Sequence, residues 1–312
     1  MSPPALPESI PDVAAVEVLR GAQAPPDAAP ALLVEVPHGA DRREHYDRLR
    51  GRLVGELPAD LHEFFHLNTD VGAWAYGRAT AEAFLAAEPT QSALLVRCLI
   101  PRTFVDCNRP ADFEGDDALT AGGVTAGIHP YVRDEGDLAR LLGLHRSYVE
   151  LAGRAYAAVC GAGGLALVPH TYGPRTLGID AVDERIVEQL RWACAPERAD
   201  TWPLRAEVDL LTRDGEGTLL APPGVEEHLL ERFRAAGYAP TCNETYFLHP
   251  ATLGHGWSAR YPGQLVCLEV RRDLLVPAWT PFEEMLADPA QARRVAEVLA
   301  PALVEAARRR RG

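Results

Sequence analysis

The sequence predicts an α/β fold: a mixed, largely parallel central sheet flanked by helices on both faces. Three observations point there. Short apolar runs of strand length alternate with longer stretches whose apolar residues recur at helical spacing. The runs "ALLVEV", "SALLVRCLI" and "GLALVPH" are apolar almost throughout, as strands covered on both faces must be. With 312 residues, 47% of them hydrophobic, the chain can bury a substantial core.

The elements follow in chain order. Residues 1–30, rich in Pro and Ala, read as an N-terminal arm with one short strand around "AAVEVLRG". Residues 31–312 then form a single domain, because no repeat or linker interrupts them. "ALLVEV" (31–36) is the first buried strand. Residues 71–88 are Ala-rich with helical apolar spacing, and 92–100 form a second strand, followed by the proline-bounded "PRTFVDCNRP". Residues 111–130, glycine-rich and acidic, read as a long surface loop of a length usually tied to function or mobility. A long helix spans 134–161, with an acidic start and a glycine stop. A third strand covers 164–170, a helix 179–195, an amphipathic helix 224–237 and a fourth strand 263–276. The tail from 289 is a closing helix whose basic end suits the macrodipole, so its "RRRR" run is a solvated helix end.

Composition excludes several function classes. A net charge of −13 argues against nucleic acid, whose phosphates want a basic face. The N-terminus lacks the charged-then-apolar order of a signal peptide, and no apolar run approaches the roughly 20 residues that span a bilayer. Six scattered cysteines without a CxxC pair indicate reduced thiols, hence a cytoplasmic protein without a membrane partner. No feature speaks to oligomeric state.

Chemistry concentrates at strand ends. Two strands finish alike, "VEVPH" at His38 and "ALVPH" at His170. In open α/β sheets ligands gather at the carboxyl ends of strands, so two proline-stiffened turns can deliver both imidazoles to one metal. A catalytic zinc takes three protein ligands and keeps a position for water. Asp41, three residues after His38, and Asp70, in "NTDVG" just before a helix, both qualify as the third ligand. His62 and His66 share a helical face in "LHEFFH", but this is not the HExxH motif. Arg102 and Arg109 lie in "PRTFVDCNRP", where one can pair with Asp106 while the other faces a ligand. Glu269 stands in an otherwise apolar strand. It must end the strand, meet a cation such as Arg271 or Arg272, or act as a base with a raised pKa.

These segments, in this order, resemble the N-formylglutamate amidohydrolase family. Those enzymes are zinc-dependent hydrolases whose phosphorylase/hydrolase-like fold is related to the zinc carboxypeptidases and aminoacylases. "VPHGA" resembles the family's "PHxG" element and "NTDVGAWAY" its aspartate segment before a helix. "PRTFVDCNRP" is similar to its "SR…DLNRP" signature, "LLGLHRSY" to the helix that starts "PYH", "LALVPHTYGPRT" to the strand ending in "D-x-HS", and "LVCLEVRRDLL" to the late strand bearing a glutamate. The resemblance runs from about residue 31 to 276. It implies His38, Asp70 and His170 as zinc ligands, and Glu269 as the general base. It also implies Arg102, Asn108 and Arg109 around the substrate carboxylate, with His145 and Arg175 lining the cleft.

The sequence departs from the family pattern at several points. "PHGA" moves the glycine, "HT" replaces "HS", "GLH" replaces "PYH", and Val168 stands where the family has Asp. The stretches 111–130 and 197–223 have no counterpart. The expected activity is hydrolysis of a small N-acyl amino acid such as N-formylglutamate. The alternatives are a zinc peptidase acting on a peptide C-terminus and a silent binding protein of the same fold.

Overall fold

In the computed structural model, which describes residues 5–116 and 123–311, seven strands form one mixed sheet. The strands are β1 (Ala14–Arg20), β2 (Pro30–Val36), β3 (Ser92–Cys98), β4 (Leu165–Tyr172), β5 (Val208–Leu211), β6 (Pro240–Cys242) and β7 (Leu265–Arg271). Their spatial order is β1-β3-β2-β4-β7-β5-β6. The central four, β3, β2, β4 and β7, are parallel. β1 closes one edge antiparallel to β3, and β5 meets β7 antiparallel. The strand in the N-terminal arm is thus part of the sheet.

The helices are α1 (Arg43–Arg50), α2 (Leu61–Asn68), α3 (Ala73–Ala87), α4 (Glu135–Val159), α5 (Ile186–Ala193), α6 (Pro196–Ala199), α7 (Val225–Ala235), α8 (Leu253–Arg260) and α9 (Pro289–Arg311). Strand alternation sorts them into two layers. Leu32 and Val34 of β2, Leu165 and Leu167 of β4, and Val266 and Leu268 of β7 pack with α3, α7 and α9. Leu33, Ala166, Val168 and Cys267 point the other way, toward α1, α2, α4 and α5. Both faces are covered, which is why the central strands read as continuous apolar runs. Among the described residues no helix is long and apolar enough to cross a membrane.

A helix boundary differs from expectation, and a strand appears where none was assigned. The helix expected over 179–195 begins only at Ile186. Asp183 accepts from the Arg185 amide at 2.8 Å, a local turn that competes with helix over the preceding residues. The stretch 197–223 contains β5, only four residues long and set among charged neighbours. Of the expected loop 111–130, residues 117–122 lie outside the described residues.

Chain order places the site. β2 leads to β3 on one side, and α4 then carries the chain back across β2 to β4 on the other. The connections leaving β2 and β4 diverge, so a crevice opens between their carboxyl ends, where ligands settle in such sheets.

Candidate metal centre

His38 follows β2 and His170 lies near the end of β4, one on each side of that crevice. Gly39 permits the tight exit after His38. A Cβ there would meet Arg97 Cγ at 2.5 Å and the Cys98 carbonyl at 2.9 Å. Asp70 arrives from the turn between α2 and α3, where Gly72 adopts a φ of 96° beneath Leu275. Thr69 fastens that turn to the β2 exit by donating to the Ala40 carbonyl at 2.9 Å.

The three side chains are buried, and a ligand atom from each lies within 4.8 Å of the others. Both imidazoles turn Nδ1 toward the same oxygen, Asp70 Oδ2, at 3.2 Å from His38 and 3.0 Å from His170. Asp41, the other carboxylate left open by the sequence, is instead paired with Arg97 at 2.6 Å. Burial alone would raise the Asp70 carboxyl, but the two imidazoles outweigh it and hold it far below the ordinary range.

Asp106 forms the next layer. Its Oδ1 faces His38 Nε2 at 2.8 Å and accepts from the Asn108 amide at 2.8 Å. Its Oδ2 accepts from Arg102 Nη2 at 2.9 Å. A carboxylate on the far nitrogen fixes the imidazole's tautomer and orientation with Nδ1 free to ligate. Arg102 also reaches 3.5 Å from Asp70 Oδ1, so its charge lies at the edge of the cluster. Burial and Arg102 oppose protonation of His38, but Asp106 and Asp70 override them and raise its pKa.

Glu269 is the partner of His170 in the β4–β7 register, on the same face of the sheet. Its Oε2 is buried without a hydrogen-bond partner among the described residues. Neither neighbouring arginine neutralises it: Arg271 pairs with Asp273 at 2.8 Å, and Arg272 donates to the carbonyls of Leu67 and Thr171. Burial, opposed by His170 and reinforced by Asp70, pushes Glu269 up to about 7. That value sits where a general base works best.

His38, His170 and Glu269 open onto a cavity of about 240 Å³, which Arg102, Asn108 and Arg109 also line. Four buried side-chain polar atoms lack a partner among the described residues. Three of them, on Arg109, His129 and Glu269, belong to this one cavity wall. Unpaired buried groups are costly, so their concentration sets this wall apart from the rest of the core.

Two sequence-derived site residues sit elsewhere. His145, on α4, donates Nε2–H to the Arg109 carbonyl at 2.7 Å, so it braces the "DCNRP" segment from behind the cavity wall. Arg175 lines an adjoining chamber and is held by Asp200 at 2.9 Å and the Trp202 carbonyl at 2.7 Å. Two residues on the cavity wall escaped the sequence reading. His129 stands in a loop with no telling spacing, and burial keeps its ring neutral by lowering its pKa to about 4. Arg205 precedes β5 in the stretch that sequence patterning left unassigned. His62 and His66 face each other on α2 with ring centroids 6.3 Å apart, outside the cluster.

The donor set fits a divalent cation. Two imidazole nitrogens and one carboxylate leave coordination positions open, the pattern of catalytic rather than structural zinc. The second-layer carboxylate on His38 and the partnerless Glu269 oxygen beside His170 are what such a centre requires around it.

Solved structures share this architecture. A gene product of Agrobacterium tumefaciens is similar with a TM-score of 0.55 at 18% identity, over 94% of each chain. A crystal structure of N-formylglutamate amidohydrolase from Ralstonia eutropha is similar with a TM-score of 0.54 at 16% identity, over 95% of this chain and 98% of that one. No family model and no curated protein matches the sequence. The chain therefore has the fold of an N-formylglutamate amidohydrolase, with a buried His–Asp–His cluster that could hold a metal ion.

Proposed function

We propose that the protein is a zinc-dependent amidohydrolase that cleaves the formyl or acyl amide of a small N-acyl amino acid, of which N-formylglutamate is the parent case. The observation that carries this reading is the placement of a partnerless carboxylate, Glu269, beside a His38–Asp70–His170 cluster at the mouth of the sheet. The similar Ralstonia eutropha structure, named for that hydrolysis, supports the same reaction class.

His38, Asp70 and His170 would hold a zinc ion, which would supply Lewis acidity toward a water and the amide carbonyl. The remaining work falls to the chain. Glu269 takes the water's proton on its carboxylate and returns it to the departing nitrogen. A pKa near 7 suits both halves of that transfer. Asp106 keeps His38 in the tautomer that ligates through Nδ1. Arg102, bonded to Asp106 and reaching Asp70, presents fixed positive charge where the oxyanion develops. Arg109 and Asn108 frame the wall of the pocket around the scissile amide.

The test is hydrolysis of a panel of N-acyl amino acids, N-formylglutamate included, by the zinc-loaded protein and by Glu269→Gln. The variant keeps its zinc and loses turnover by about 10²–10⁴-fold, the usual weight of a positioned base. Normal turnover in Glu269→Gln refutes its role. Cleavage of short peptides alone moves the assignment to a peptidase.

A further inference from the structure

We infer that a second chamber beside the metal cavity selects the amino-acid side chain of the substrate, so that the preferred substrates are N-acyl derivatives of aromatic or long aliphatic amino acids. This rests on the amidohydrolase reading above and specifies its substrate class.

The chamber has a volume of about 440 Å³, larger than the 240 Å³ of the metal cavity. The two share walls at Phe64, Leu67, Arg205 and Tyr246, so they are compartments of one cleft. Beyond the shared wall the lining is apolar, with Leu177, Ile179, Leu190 and Trp279. Sites of this kind take the apolar body of a ligand and leave orientation to a few polar groups.

Charge decides which part of the substrate enters. Arg175 is the cation inside the chamber, and it is already engaged by Asp200 at 2.9 Å and the Trp202 carbonyl at 2.7 Å. A second substrate carboxylate, such as a glutamate side chain, would have to compete with Asp200 for it. Arg205, on the shared wall, differs. Among the described residues it bonds only neutral oxygens, those of Thr176 at 3.2 Å, Gly173 at 3.4 Å and Tyr246 at 3.2 Å. Its guanidinium lies over the rings of Tyr172 and Tyr246, 5.2 and 5.6 Å from their centroids, which fixes its place.

Glu269 lies near enough to feel the Arg205 charge but makes no hydrogen bond to it, so this planar guanidinium between two compartments keeps donors for a substrate carboxylate. With the scissile amide at the His–Asp–His cluster and the α-carboxylate on Arg205, the Cα lies at the shared wall. Its side chain then extends into the apolar chamber, and the acyl group stays in the smaller cavity.

The experiment compares kcat/KM of the zinc-loaded protein for N-formyl-L-alanine, N-formyl-L-leucine and N-formyl-L-phenylalanine, and for N-acetyl- and N-butanoyl-L-alanine. Efficiency rises along the side-chain series by about fourfold for each carbon fully buried, and does not rise along the acyl series. Ile179→Trp, which fills the chamber, brings the leucine-to-alanine ratio back toward one. Titration calorimetry of the same compounds with zinc-loaded Glu269→Gln reads the preference without turnover. Hydrolysis with a flat side-chain series, or a rise along the acyl series instead, overturns the chamber assignment and leaves the hydrolase reading intact. Binding that tightens along the side-chain series without hydrolysis by the wild type supports the chamber and removes the hydrolase reading. Flat binding overturns the chamber whether or not turnover is seen.

Discussion

Replacing Glu269 by Gln should stabilise the metal-free protein at neutral and alkaline pH, an unusual outcome for a change at a candidate catalytic position. Glu269 Oε2 is buried with no hydrogen-bond partner among the described residues, and neighbouring Asp70 adds repulsion. The folded chain therefore holds the Glu269 proton more tightly than the unfolded chain does. The stabilisation tied to that proton is complete below the unfolded value and is lost as pH rises through the folded one. A rise from 4.5 to about 7 corresponds, at 1.36 kcal/mol per unit, to about 3 kcal/mol. The figure is an upper bound because the residue is partly exposed. Gln cannot ionise, so the variant lacks this loss. Urea unfolding of chelator-treated wild type and Glu269→Gln at pH 5, 6, 7 and 8 gives the comparison. The variant's advantage should grow by about 2–3 kcal/mol between pH 5 and pH 8. Parallel pH profiles, or a variant that is less stable at pH 8, would mean that Glu269 is satisfied by an ion pair and carries no burial penalty.

Other perturbations report on the surrounding layers. Asp106→Asn removes the charge that orients His38 and should weaken zinc binding about 10–100-fold, measured by chelator competition, while leaving the fold in place. Zinc binding should also weaken as pH falls through the range where His38 takes up its proton, a range raised above the ordinary imidazole value by Asp106 and Asp70. Competition titrations at pH 6, 7 and 8 show this as an affinity that rises with pH and a proton released on binding. Tyr148→Phe deletes a hydroxyl that donates to the buried Glu35 carboxyl and should cost about 1–3 kcal/mol of stability in urea, with zinc content unchanged. Arg102→Ala should lower kcat by about 10²–10³-fold if its charge stabilises the oxyanion.

Much of this arrangement was legible in the sequence because it rests on local patterns. The central strands announce themselves by apolar runs, since both faces of the sheet are covered. The twin "VPH" endings revealed His38 and His170, because the crevice between β2 and β4 lies at strand ends. A glutamate inside an apolar strand was conspicuous for the same reason that makes it costly. Other features depend on distant parts of the chain. Asp41 and Asp70 are equivalent by residue type, and only tertiary packing gives Asp41 to Arg97 and turns Asp70 toward both imidazoles. His145 has the composition of a cleft residue, yet α4 aims it at the back of the "DCNRP" segment. β5 is too short to display alternation, so the segment before it, with Arg205, carried no visible signal. His129 gains its meaning from burial alone.

The proposed function stands on His38, Asp70 and His170 holding one zinc ion together. The direct measurement is the metal content of the purified protein by elemental analysis, repeated on His38→Ala, Asp70→Ala and His170→Ala, with circular dichroism to confirm that each is folded. Close to one zinc per wild-type chain, lost in all three folded variants, is the predicted result. A wild type that binds no zinc under any loading condition, or folded variants that retain it, would mean that these three residues do not form a zinc site.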